Sequence, residues 1–123
     1  MKYMTIEHMK KLDKIKLNKY FNECVDKLEY IDYEYAFEEK KENYLNFVKH
    51  VYKIAKERGL DNKKYAFSLM LLWHVEGDSI NEDEEFLEVL TSQNIHAHEK
   101  SEYFNNRAIE HMQTNKREES NEL

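Results

Sequence analysis

The stretch "WHVEGD", Trp73 to Asp78, brings His74, Glu76 and Asp78 close together in the chain. One imidazole and two carboxylates can do general acid–base chemistry if they converge on a reacting atom. On a helix, neighbours one and two residues apart face different ways. Convergence therefore requires the helix to have ended before His74. Geometry favours the plainer reading, a helix C-terminus with His74 at the negative end of the dipole and Gly77 as the stop.

Two further stretches have metal-ligating residue types. "DSINEDEEFLE" resembles a calcium loop in composition, but Ile80 stands where a ligand is needed, and Gly77 precedes the acids instead of following them. Acids in the first turn of a helix account for it. "HAHE", His96 to Glu99, has the His-x-His spacing of a strand or loop site; on a helix the two rings diverge by about 200°. A helical metal protein or enzyme using His74, Glu76, His96 and His98 is the alternative left open, with His50 and His111 as further donors. Cys24, the single cysteine, lies on an apolar face with Phe21 and Leu28 and reads as a buried, inert thiol. The chain has no G-x-S-x-G, no phosphate-binding glycine loop and no H-E-x-x-H. The expectation is a protein without enzymatic activity, metal or cofactor.

Charge carries more information. Glu76, Asp78, Glu82, Asp83, Glu84, Glu85 and Glu88 fall in a window, 76–90, that contains no Lys or Arg. A single-sign surface speeds association with a basic partner and disfavours wrong ones. These seven carboxylates are the candidate partner-binding residues, set against a solvated helix face as the plain alternative. Nine Tyr residues add to the interface expectation. Net charge of −6 argues against nucleic acid as a partner.

These residues need a scaffold. A chain of 123 residues with 41% hydrophobic content is of single-domain size and can build its own core. It has no Pro and only two Gly, which suits helices and not a many-turned β protein. One Cys excludes an intramolecular disulfide. "MKYMTIEHMKK" has no apolar segment of signal-peptide length, and no apolar run approaches a membrane span. A cytoplasmic protein is expected.

Thr5 can cap a first helix, on which Leu17, Phe21, Cys24, Leu28 and Ile31 form one face. Ile6, Met9 and Leu12 do not join that face smoothly, which predicts a bend near Asp13–Lys16 or two short helices. Phe37, Tyr44, Phe47, Val48, Val51, Ile54 and Ala55 trace a second helix, ending at Arg58 with Gly59 in a left-handed conformation and Leu60 folded back. Asp61 then caps a helix that is apolar nearly all round from Tyr65 to Trp73. Such a helix is central and packed on several sides. "SINE", Ser79 to Glu82, has capping-box spacing and opens an acidic helix with Phe86, Leu87 and Leu90 inward. Asn94 caps a last helix bearing Ala97, Phe104, Ala108 and Met112. The expected fold is all-α: a single-domain bundle of five to six helices over 1–113 with a central apolar helix at about 62–75. Residues 114–123 are expected to be a disordered tail.

The order of features, "A-x-x-x-G-L" (Ala55 to Leu60), a capped apolar helix, "WHVEGD", an acidic helix and "HEKSEYFNNRAIE", resembles small helical proteins encoded beside type VI secretion spike and effector genes. Gly77 and Asp78 match the Gly and acid of that pattern. Ile80 replaces its usual Phe, and Phe104 stands near its expected Leu. The resemblance covers most of 5–110 and consists of helix ends and core positions. It implies a bacterial protein-binding role. The first form is an immunity protein that occludes the active site of a secreted antibacterial toxin. The second is an adaptor or chaperone for a secreted effector. The resemblance supplies no catalytic residue.

Overall fold

The structure, a computed structural model, describes residues 5–35, 37 and 43–121, with side chains to residue 115. Five α-helices and one short 3-10 turn follow in order: α1 (Ile6–Glu34), α2 (Tyr44–Glu57), α3 (Lys63–Glu76), the 3-10 turn (Asp78–Glu82), α4 (Glu84–Thr91) and α5 (Ala97–Asn121). The chain is a single all-α domain.

α3 is the centre. Ala66 and every residue from Ser68 to Val75 are buried, and α5, α2 and α1 all pack against the helix. An apolar circumference can be buried only in this position. Ser68, the polar residue of the run, donates its hydroxyl to the Tyr65 carbonyl and so costs little. Phe86 of α4 and Phe104 of α5 close the far side, their rings 5.6 Å apart.

The α2 terminus follows from its sequence. Gly59 has φ +81°, the Gly59 amide bonds the Lys56 carbonyl, and the Leu60 amide bonds the Ala55 carbonyl at 2.8 Å. This doubled bond satisfies carbonyls that would otherwise be orphaned. Leu60 is fully buried beneath it. Gly77 has φ +82° and ends α3, as the sequence predicts.

Several boundaries differ from expectation. α1 is one continuous helix of 29 residues and not two short ones. It contains no Gly or Pro to interrupt it. Its early apolar residues miss the core face because they do not reach the core at all. Tyr20, Phe21, Cys24, Leu28 and Asp32 are its buried residues, whereas Ile6, Met9, Leu12 and Ile15 are exposed. Asn62, not Asp61, caps α3 by accepting from the Lys64 amide. "SINE" forms the 3-10 turn and no capping box; Asp83 caps α4 through the Phe86 amide at 2.9 Å. Asn94 does not cap α5, which starts at Ala97 after the His96 carbonyl accepts from the Lys100 amide. α5 runs to Asn121, beyond Met112, the last buried residue among the described side chains. Phe37 lies outside α2 and stacks on His111 of α5.

Candidate functional site

His74 does not meet Glu76 or Asp78. Its Nε2 lies 2.8 Å from Asp32 Oδ1, and both residues are buried. The Tyr44 hydroxyl donates to Asp32 Oδ2 at 2.6 Å, and the rings of Tyr44 and Phe47 flank the imidazole. α1, α2 and α3 are thus joined by one buried polar cluster. It ties three helices together inside the core. Sequence reading missed Asp32, which lies 42 positions from His74 with no local pattern to join them.

The acidic window is largely consumed by internal bonds. Arg107, from α5, donates through Nε to Glu76 Oε2 at 2.7 Å and through Nη2 to Glu76 Oε1 at 2.9 Å. The same guanidinium reaches Asp83 Oδ2 at 2.8 Å and Oδ1 at 3.2 Å, and the Tyr103 hydroxyl at 2.9 Å. All five of its N–H donors are occupied. These bonds hold the Asp83 carboxyl down at about 2, with the Phe86 amide helping. Asp78 accepts from the Trp73 indole at 3.0 Å, and Glu85 accepts from the Tyr103 hydroxyl at 2.7 Å. Of the seven candidates, Glu82, Glu84 and Glu88 are exposed and make no side-chain bond among the described residues. Trp73 is buried and offers no surface anchor.

The histidines of "HAHE" lie at the start of α5. His98 pairs with Glu102 at 3.0 Å and touches the Tyr65 hydroxyl; both His96 and His98 are exposed. Among the described residues no three His, Cys, Asp or Glu side chains come together as metal ligands would. Cys24 is buried, and burial pushes its thiol up from the ordinary range. No helix among the described residues is long and apolar enough to cross a membrane.

The least satisfied surface is on α1. Ile6 is 72% exposed, Ile15 64%, Met9 51% and Leu12 40%. Tyr30 and Tyr33, further along the same helix, are 61% and 84% exposed. An α-helix completes five turns in 18 residues. Leu12 and Tyr30 therefore share one azimuth, and Ile15 and Tyr33 share another. The azimuths lie opposite Cys24 and Leu28, on the side turned away from the core. The helix presents two apolar pairs about 27 Å apart along one outer face. At about 100° per residue Lys11, Lys16 and Lys19 fall on the same side of the helix as the first pair. Two of the nine Tyr residues, Tyr30 and Tyr33, are thus strongly exposed, while Tyr20, Tyr44 and Tyr103 serve internal bonds.

Comparison of the chain with protein-family models, curated proteins and solved structures finds no match.

Proposed function

We propose that this protein is a non-enzymatic binding module whose α1 helix docks in a groove of a protein partner. The observation that carries the reading is the outer face of α1, with Leu12, Ile15, Tyr30 and Tyr33 exposed along one line. Burial of large apolar side chains supplies roughly 1.5–3 kcal/mol each when complete, so four such residues can sustain specific binding. Helix-in-groove recognition uses anchors spaced i, i+3 as each of these pairs is, with Lys19, Asn22 and Asp26 on the face between them. Tyr anchors bring large contact area at low entropic cost.

The specific form proposed is immunity: α1 fills and blocks the active-site cleft of a secreted antibacterial toxin. The motif resemblance supports this form over a general scaffold. An effector adaptor would use the same helix without blocking toxicity. Co-expression separates immunity from adaptor function. An immunity protein restores growth of cells making the toxin, and Ile15→Glu with Tyr33→Glu abolishes the rescue.

A second reading has its own support. Glu82, Glu84 and Glu88 remain free for a basic cleft after Arg107, Trp73 and Tyr103 have taken their carboxylates. Binding through this ridge would weaken with salt and with reversal of Glu84 and Glu88 to Lys. Binding through α1 would survive that reversal.

A further inference from the structure

A cavity of about 410 Å³ lies where the end of α2 meets the α4–α5 connection. Its wall includes Arg58, Ser92, His96, Ala97 and Lys100, with the exposed Glu57 as its carboxylate. The volume falls within the range of small-molecule sites.

Lys100 is the unusual member. The residue is 4% exposed, yet its ammonium has no carboxylate partner among the described residues. Its one hydrogen bond goes to the Leu90 carbonyl at 2.9 Å, at the C-terminal end of α4. An ammonium has three donors, so two are left over. Capping a helix end accounts for one of them and for part of the charge. A lysine is almost never buried without an ion pair. Burial, and after it the charge of the nearby Arg58, push the Lys100 ammonium below the ordinary lysine range. Arg58 is itself exposed and makes no ion pair among the described residues.

The cavity also faces the start of α5. Ala97 lines the cavity, and its amide precedes the first helical bond, Lys100 to His96, with no acceptor among the described residues. A buried ammonium, a free guanidinium fork and a helix N-terminus then surround one space. Each donates, and the exposed Glu57 of the wall makes no ion pair with Lys100 or Arg58 among the described residues.

We infer that this cavity is a binding site for a phosphate group, held by Lys100, Arg58 and the Ala97 amide at the start of α5. Phosphate suits donors arriving from several directions, because it offers more acceptor oxygens than a carboxylate. The volume exceeds that of the bare anion and leaves room for the small molecule of a phosphomonoester. The inference is independent of the α1 docking face.

The test is titration of the full chain with inorganic phosphate and, separately, with glycerol phosphate, at ionic strength fixed with chloride. Amide NMR and thermal melting are the readouts. The expected result is a saturable shift at the Ala97 amide, a rise in melting temperature, and a Lys100 ammonium that titrates higher when phosphate is bound. Tighter binding of the ester identifies a small-molecule site, and equal binding identifies inorganic phosphate as the ligand. Arg58→Gln, a change at an exposed position, weakens binding roughly tenfold. Lys100→Met abolishes it. Shifts no larger than chloride produces, or the same affinity in the Arg58 variant, would overturn the site. The Arg58 result stands even if the Lys100 variant fails to fold.

Discussion

Arg107 grips Glu76 with two parallel bonds, Nε to Oε2 at 2.7 Å and Nη2 to Oε1 at 2.9 Å, across 31 positions of sequence. Glu76 is the last residue of α3, where a carboxylate opposes the helix dipole. The guanidinium removes that conflict and fixes α5 against the end of α3. Arg107→Ala should therefore destabilise the fold. Losing the Glu76 bonds alone should cost roughly 1–3 kcal/mol. Urea unfolding measures it. Arg107→Lys should recover only part, since a point charge cannot reproduce the fork.

The same guanidinium sets an acid dependence. Asp83 has its folded-state carboxyl lowered to about 2, below the ordinary carboxylate value of about 3.9. A lowered folded value means that the contribution is present above the unfolded value and is lost as pH falls through the folded one. Stability from Asp83 should thus be complete above about pH 4 and fade towards pH 2. NMR titration of the carboxyl should find a midpoint near 2 in the native protein. Arg107→Ala should move that midpoint up towards the ordinary range.

The buried His74–Asp32 pair should behave as a structural joint. Asp32→Ala leaves the imidazole and the Tyr44 hydroxyl without their shared acceptor, and should cost about 3 kcal/mol, the scale for breaking one half of a buried pair. Asp32→Asn keeps an acceptor and should cost less. Chemical denaturation of both variants checks the order.

Cys24 should be silent in the native state. The thiol is buried, and burial disfavours its thiolate, the reactive form. Thiol reagents should label it only at the rate of unfolding, and labelling should become fast in urea.

The sequence made some of these features legible and hid others for physical reasons. The central helix could be read because all-round apolar character has one structural solution, and the α2 stop because Arg58-Gly59-Leu60 encodes its own local bonds. The length of α1 was misread. A broken apolar register at Ile6, Met9 and Leu12 suggested a bend, whereas those residues lie on the surface. "SINE" has the right spacing for a capping box, but Asp83 beyond it makes the cap. The acidic window looked free because Arg107 and Tyr103, the residues that occupy it, come from α5. Asp32 escaped notice for the same reason: its partner is set by tertiary packing and not by spacing.

The most direct test of the binding account is capture of the native partner by tagged wild type and by an Ile15→Glu, Tyr33→Glu variant. Both substitutions are at exposed positions, so the melting temperature should change little. The account predicts one protein retained at near-equal amount by wild type and by a Glu84→Lys, Glu88→Lys variant, and lost from the α1 variant. Undiminished retention by the α1 variant would contradict it. Loss from the Glu84, Glu88 variant alone would move the interface to the acidic ridge.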